Sequence, residues 1–498
     1  MIKMIFINSG NDNDEAGNAN IASFPPLGII SMASMVKEKF NNECQTILYD
    51  GQLEPLEDVK RHISEECADI VLVSMYCTGI RYSLECVKTA HESGAITVLG
   101  NDHAKAHYKT ILRKIPEVDL ISMDEFGEFL SYFVAEALLK NKNIYEVPNI
   151  AYMAENGEIT HTKCICNKNK ALMEDPYSNI PLPDRKLLSN YYWESYLNNF
   201  RNIKGRLYSR EGATGITTIN RARGCVNLKH RCSYCGIGDL NLYLSSPDSF
   251  WTDIRNAKKD INANYFYECF DNFTYSRKYM EDILRLKPND LDDINLIVYS
   301  SADRVNEINC NIFRDLGVYL VNLGLDAGDE YGLKLLKGSN TSVEDNYRAA
   351  DLLTKNKLEM HISFVLMGMG SNEITQKSMN KTLAFIKYLL ENTSVSILDC
   401  ALFYPDRVAP VGGLIWNPNN YNLLKDKYNL SYIKTEYLSE LHNKWKEEIY
   451  IDSAEITKDF AKLCGTDYQL LLEYQEKIRE MCYKYNVSFG YSQAGKID

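Results

Sequence analysis

The stretch "RARGCVNLKHRCSYCGIG", residues 221–238, places Cys225, Cys232 and Cys235 within eleven residues of a 498-residue chain whose other cysteines, of 14 in all, are dispersed. Directly before it, "GITTINRA" (215–222) is short, β-branched and bounded by glycine, which reads as a strand. Five more strand-like runs follow: "NYFYECFD" (264–271), "INLIVYSS" (294–301), "VYLVNLGLD" (318–326), "EMHISFVLMG" (359–368) and "VSILDCALFY" (395–404). Helical stretches such as "VNEINCNIFRDLG" and "MNKTLAFIKYLLEN" separate them. Six βα units over roughly 200 residues are too few for a closed eight-fold barrel and predict a partial, open one. In such barrels the chemistry sits on the loops at the carboxyl ends of the strands, and the three cysteines begin on the first of those loops.

Working outward, the N-terminal part also alternates strands and helices. "KMIFINS", "CQTILYDG", "DIVLVSMY", "ITVLGN" and "DLISMD" are separated by amphipathic runs, which predicts a doubly wound parallel sheet, a Rossmann-like α/β domain over residues 1–145. Ligands of such sheets bind beyond the carboxyl ends of the strands. Ser74, Thr78, Gly79, Gly100 and Glu125 are the candidates there. Residues 146–200 read as a hairpin turning at Glu155 to Gly157, then a connector rich in proline (Pro176, Pro181, Pro183), with a boundary near 200. The barrel is expected over 201–415 and a helical C-terminal cap over 416–498.

Composition narrows the function. With 55 basic and 67 acidic side chains the net charge is -12, which argues against a nucleic-acid partner. No apolar run is long enough to cross a bilayer, and the N-terminus turns polar too early for a signal peptide. A cytoplasmic protein is expected, in which cysteines serve as thiols, metal ligands or catalytic groups. Three thiolates with His230 could hold zinc, but no distant C-x2-C or H-x3-H completes a structural site. Three cysteines on a four-iron cluster would instead leave one iron open to a ligand.

The element "CSYC", with a third cysteine ahead of it at the end of the first strand of a six-unit barrel, resembles the radical S-adenosylmethionine (SAM) superfamily. "FYECFDNFTYSRKYMEDIL", "LGLDAGDEYGLKLLKGSNTSVEDN" and "HISFVLMGMGSNE" are similar to that family's second-, fourth- and fifth-strand segments. "PPLGIISMASMVK", "LGNDHAKAH", "DEFGEFL" and "IPLPDRKLL" are similar to its cobalamin-binding class, and the resemblance covers about residues 1 to 410. It implies that Cys225, Cys232 and Cys235 each bind one iron of a [4Fe–4S] cluster, and that the fourth iron takes the amino and carboxylate groups of SAM. Cleavage of SAM to a 5′-deoxyadenosyl radical would then modify an unactivated carbon.

By the same resemblance Tyr234 lies against adenine and Glu268 faces the SAM ammonium, with Asp271 as the alternative or as a helix N-cap. Ser301 and Asp326 are candidates for the SAM carboxylate or ribose, and the backbone at Gly368 and Gly370 for adenine. The implied cofactors are the cluster, SAM and cobalamin. The implied partners are a small-molecule or peptide substrate and an electron donor such as flavodoxin or ferredoxin. The implied reaction is cobalamin-dependent C-methylation. The alternatives are a non-methylating radical SAM catalyst with a degenerate corrinoid domain, or a zinc-stabilised binding protein without catalysis.

The chain departs from the family pattern in three places. The cysteine spacing is C-x6-C-x2-C, three residues longer than the common form and similar to loops of radical SAM proteins encoded with peptide natural products. "GMGSNE" lacks the family's proline, and no D-x-H-x-x-G follows the first strand. His103 reads as a helix-start residue and not as a cobalt ligand.

Overall fold

The computed structural model describes residues 1–12, 24–164, 174–225, 231–237, 241–338, 341–423, 433–450, 453–491 and 496–497. The chain forms two compact units: residues 1–199, 214–222 and 243–263 in the first, and 200–213, 223–242 and 264–498 in the second.

In the first unit the strands are β1 (Ile2–Asn8), β2 (Cys44–Asp50), β3 (Ile70–Ser74), β4 (Ile96–Gly100) and β5 (Leu120–Ser122). They stand in the order β2-β1-β3-β4-β5, and their pairings are parallel. Helices α1 (Leu27–Phe40), α2 (Leu56–Glu66), α3 (Ile80–Glu92), α4 (Asn101–Lys114) and α5 (Gly127–Leu139) connect them. The strands are nearly continuous apolar runs because helices cover both faces. The order reverses between β1 and β3, and register sets Asn8 level with Asp50 on one side and Ser74 on the other. Those three residues mark the ligand-facing end of the sheet.

The expected hairpin, β6 (Ile150–Met153) and β7 (Ile159–His161), turns through Gly157 at φ +79°. It extends the same sheet antiparallel, with Ile121 opposite Ala151. Arg185 anchors the connector. Its guanidinium is fully buried, 2.6 Å from Asp253, and donates to Thr217 Oγ1 and the Thr218 carbonyl. Every polar atom of so buried a cation needs a partner, and these three supply them.

In the second unit the parallel strands β8 (Tyr265–Glu268), β9 (Asn295–Ser300), β10 (Val318–Asp326), β11 (Glu359–Leu366) and β12 (Val395–Leu402) lie side by side in chain order. Alternation is legible in β11 and β12. Their other side chains pack fully, while His361, Ser363, Val365, Asp399 and Ala401 are half-buried on the opposite face. Arg210, preceding the barrel strands, is buried 2.8 Å from Glu359 at the amino end of β11.

The C-terminal region contains helices Thr435–Trp445, Ser453–Leu463 and Tyr468–Lys484, as the spacing predicts. It also contains a strand that the helical reading did not include: Ser488–Tyr491 pairs parallel with β12, Ile397 opposite Ser488. Four residues carry too few periods to stand out beside a seventeen-residue helix. Among the described residues no helix is long and apolar enough to cross a membrane.

Candidate functional site

The cysteine loop is pinched at its base. Gly224 adopts φ +99°, and a Cβ there would lie 2.0 Å from the Asn241 carbonyl, so only glycine lets the two legs approach. The far end is held by backbone bonds. Cys235 N donates to the Cys232 carbonyl at 3.1 Å, Ser233 N to Leu336 O at 2.7 Å, and Val411 N to Ser233 O at 3.0 Å. Arg231 donates to the carbonyls of Cys235 and Ile237. Lys229 and His230, charged members of the same gap, lie outside the described residues.

Cys225, Cys232 and Cys235 are half-buried cysteines. They share one pocket closely enough to feel one another. Burial pushes the Cys232 thiol up to about 12, and Asp326, Cys235 and Cys225 add to the rise against the opposing charge of Lys337. Cys235 is raised by burial too, with Cys225 and Asp271 adding and the Ile237 amide and Arg231 opposing. Such thiols stay protonated until a cation displaces the proton. Among the described residues no three His, Cys, Asp or Glu side chains converge on a position for one metal ion. A mononuclear zinc site requires that convergence, whereas a cubane spreads its cysteines over different irons. Three cysteines on one loop suit a cubane, which takes each on a different iron.

The residues expected around SAM reach the same end of the sheet, several of them with partners of their own. Glu268, buried at the end of β8, accepts from Phe270 N at 3.1 Å. The strand stops there, so the zigzag that would separate Glu268 from Asp271 does not continue. Asp271 lies near enough to raise the Cys235, Tyr267 and Tyr299 groups. The N-cap role suggested for Asp271 belongs to Ser276, whose Oγ accepts from Tyr279 N at 3.2 Å. Ser301 Oγ accepts from Asn272 Nδ2 at 3.1 Å.

Asp326 closes β10 at φ +60°, with its side chain buried. Its Oδ1 accepts from the Tyr234 hydroxyl at 2.7 Å, and its Oδ2 lies 2.8 Å from Lys337 Nζ. Two residues expected to contact SAM separately are thus bonded to each other. Gly368 is packed against the turn at Cys464 and Thr466, with only 2.8 Å from an ideal Cβ to Thr466 Oγ1. Gly370, at φ +112°, accepts from that Thr466 hydroxyl at 3.1 Å. In this arrangement Gly368 serves close packing, while Gly370 supplies a positive φ with ordinary room beside it.

Sequence reasoning missed Lys337 and a polar layer on the half-buried face of the strands. There the Tyr267 hydroxyl donates to the Tyr299 hydroxyl at 2.6 Å, and His361 Nε2 lies 2.8 Å from Asp399 Oδ2. Burial raises the Tyr299 phenol to about 12, its bond with Tyr267 opposes the rise, and Cys269, Asp399 and Asp271 add to it, so these groups act on one another. Period-2 alternation in "EMHISFVL" and "SILDCAL" was the available signal.

At the strand ends of the first unit the candidates are differently placed. Ser74 Oγ accepts from Asn101 Nδ2 at 3.1 Å, and the Thr78 carbonyl accepts from Asp12 N at 2.7 Å. A Cβ on Gly79 would lie 2.1 Å from the Gly10 carbonyl, so this glycine lets two loops touch. Asp12 seats its carboxylate on the N-terminus of α3, accepting from Arg81 N at 2.7 Å and Tyr82 N at 2.8 Å. Gly100 begins α4 with open room: the nearest atom to an ideal Cβ is 3.7 Å away. Glu125 is half-buried. His103 is buried in α4, its ring stacked on His107 at 4.4 Å, inside the helix packing as its helix-start reading implied.

Comparison with known proteins bears on both units. Residues 219–386 match the radical SAM superfamily. The curated anaerobic magnesium-protoporphyrin IX monomethyl ester cyclase of Cereibacter sphaeroides is 21% identical over 404 residues, 76% of this chain and 59% of its own length. This chain thus spans about three fifths of that relative. Among solved structures, the radical SAM methyltransferase TsrM of Kitasatospora setae, with tryptophan substrate and a SAM analogue bound, superposes with a TM-score of 0.63 at 14% identity. It covers 83% of this chain and 76% of its own. The cobalamin-dependent SAM radical enzyme OxsB, with aqua-cobalamin bound, gives 0.63 at 15% identity over 97% of this chain and 80% of its own. The segment that carries the three thiols and the strands beneath them is a radical SAM domain, and the chain as a whole has the fold of the cobalamin-dependent radical SAM enzymes.

Proposed function

We propose that the protein is a radical SAM enzyme that binds a [4Fe–4S] cluster through Cys225, Cys232 and Cys235, uses cobalamin, and methylates a carbon of a small natural-product or peptide substrate. The observation that carries this reading is the gathering of Cys225, Cys232 and Cys235 on one loop, near enough for Cys225 and Cys235 both to act on the Cys232 thiol. When bound, the cluster and SAM supply a carbon-centred radical that abstracts hydrogen, and cobalamin supplies a methyl carrier.

The chain's own residues provide position and exclusion of water. Glu268 would take an ammonium group; its buried carboxylate, tethered by Phe270 N, supports that role. Tyr234 is oriented by Asp326 and offers its ring to a flat base. Tyr267, Tyr299 and the His361–Asp399 pair are the polar groups on the less buried face of the strands that a substrate would meet. A flavodoxin or ferredoxin is the reductant this chemistry calls for.

Methylation and cobalamin are supported by the fold shared with TsrM and OxsB. A second reading, a non-methylating catalyst, is favoured by one observation: Asp12 already occupies the α3 N-terminus in the first unit. Anaerobic reconstitution with iron and sulfide, followed by reductant, SAM and hydroxocobalamin, separates the two. Cluster absorbance and 5′-deoxyadenosine support both readings. Co-elution of cobalamin with the protein selects the first, and its passage unbound selects the second. Absence of both cluster and 5′-deoxyadenosine rejects the radical SAM assignment.

A further inference from the structure

Lys337 is a lysine in an unusual place. It ends the helix Glu330–Lys337, and its side chain is only 11% exposed. A buried ammonium persists only where its protons are satisfied. Here Nζ lies 2.8 Å from Asp326 Oδ2 and donates to the Gly324 carbonyl, two residues earlier on the same strand. The φ of +60° at Asp326 ends the strand in a conformation that aspartate tolerates better than most side chains. Gly324 belongs to the same arrangement, since a Cβ there would come within 3.4 Å of Nζ.

The lysine is tied to the cysteine loop twice. Through Asp326 it fixes the Tyr234 hydroxyl, and the residue before it, Leu336, accepts from Ser233 N at 2.7 Å. Tyr234 and Ser233 are the two residues between Cys232 and Cys235.

We propose that Lys337 is the positioning residue of the cluster loop and the fixed positive charge that makes a cluster held by Cys232 easier to reduce. The proposal rests on the radical SAM reading and adds to it. A cluster that gains an electron gains negative charge, and a buried cation nearby favours that state because low-dielectric surroundings screen it poorly. A lysine with a merely structural role would change stability and leave the potential where it is.

The test is potentiometric titration of the reconstituted full-length protein without SAM, followed by the EPR signal of the reduced cluster. Lys337→Met is expected to move the midpoint to lower potential by at least a tenfold change in the reduced-to-oxidised ratio, 59 mV for one electron. Lys337→Arg keeps the charge and should stay near the wild type. Asp326→Asn removes the opposing charge and should move the midpoint upward. Lys337→Met leaves Asp326 buried without its counter-ion, so the double variant Lys337→Met/Asp326→Asn provides a neutral pair in case the single variant does not fold. Its midpoint should fall below that of Asp326→Asn. Equal midpoints for wild type and Lys337→Met, or for Asp326→Asn and the double variant, would overturn the proposal while leaving the cluster assignment intact. A wild-type protein that takes up no four-iron cluster overturns both.

Discussion

The two units carry the same kind of construction at the carboxyl ends of their parallel strands and use it in opposite ways. In the second unit the strand ends bring Glu268, tethered by Phe270 N, and Asp326, bound to Tyr234 and Lys337, to the loop that carries Cys225, Cys232 and Cys235. In the first unit many of the corresponding groups are turned on one another. Asn8 donates to Asp50 at 2.7 Å, Tyr196 donates to the other Asp50 oxygen, and Asp12 caps α3. Gly10, Gly51 and Gly79 let three loops touch where side chains would have held them apart. A shared α/β layout therefore does not imply a shared readiness for ligand. What distinguishes the ends is what their polar groups hold: the cysteine-bearing loop in the second unit, one another and a helix start in the first.

The comparison can be broken most severely at the thiols. Cys232→Ala should abolish cluster incorporation, measured as iron and sulfide per chain, while the circular dichroism of the protein stays that of the wild type. Unchanged iron content would mean that the three thiols do not act together.

The next effect tests whether the first unit is built around its buried ion pair. Arg185→Met leaves Asp253 charged and unpartnered and should cost about 3–5 kcal/mol by urea denaturation. The double variant Arg185→Met/Asp253→Leu should recover much of that loss, because the cost lies in stranding one charge.

A smaller effect comes from Asp50. Burial lifts its carboxyl to about 6, against the pull of Asn8 and Tyr196. Between pH 4 and 6 the folded state therefore holds a proton that the unfolded state has released. Stability should fall as pH rises through that window, by about 2–3 kcal/mol, and be flat above it. Asp50→Asn should remove this slope in chemical denaturation at a series of pH values. An unaltered slope would place the ionisation elsewhere.

The smallest effect sharpens the contrast at α3. Asp12→Ala removes a helix cap and should cost about 1 kcal/mol. It also frees two backbone donors. If Asp12 is what keeps this end from binding, cobalamin should bind the variant more tightly than the wild type in equilibrium dialysis. Equal affinity would show that the cap is purely structural.

Much of the architecture was legible because strands and helices announce themselves by period. The five strands from Tyr265 to Leu402 fall inside the runs read from the sequence. The cysteine loop was legible because three thiols so close together have few uses. The pairing of Tyr234 with Asp326 was not legible. Each residue was identified from its own position, and nothing in the order of residues says that 92 positions of chain close to 2.7 Å. Lys337 was hidden for a similar reason: on the sequence it is one more charge near a helix C-terminus, where lysine is ordinary. Of the two roles offered for Asp271, the cap goes to Ser276, because the strand ends at Glu268 and the turn beyond it is long enough for Ser276 to begin the helix. The layer of His361, Asp399, Tyr267 and Tyr299 needed the sheet to be assembled before its members became neighbours.

The central claim is that Cys225, Cys232 and Cys235 hold a four-iron cluster with one iron open to SAM. EPR spectroscopy of the reconstituted, reduced protein with and without SAM tests it most directly. The expected result is a [4Fe–4S]⁺ signal whose g-values shift when SAM is added, and which Cys232→Ala lacks. One zinc per chain with no such signal, or a cluster spectrum indifferent to SAM, would contradict it.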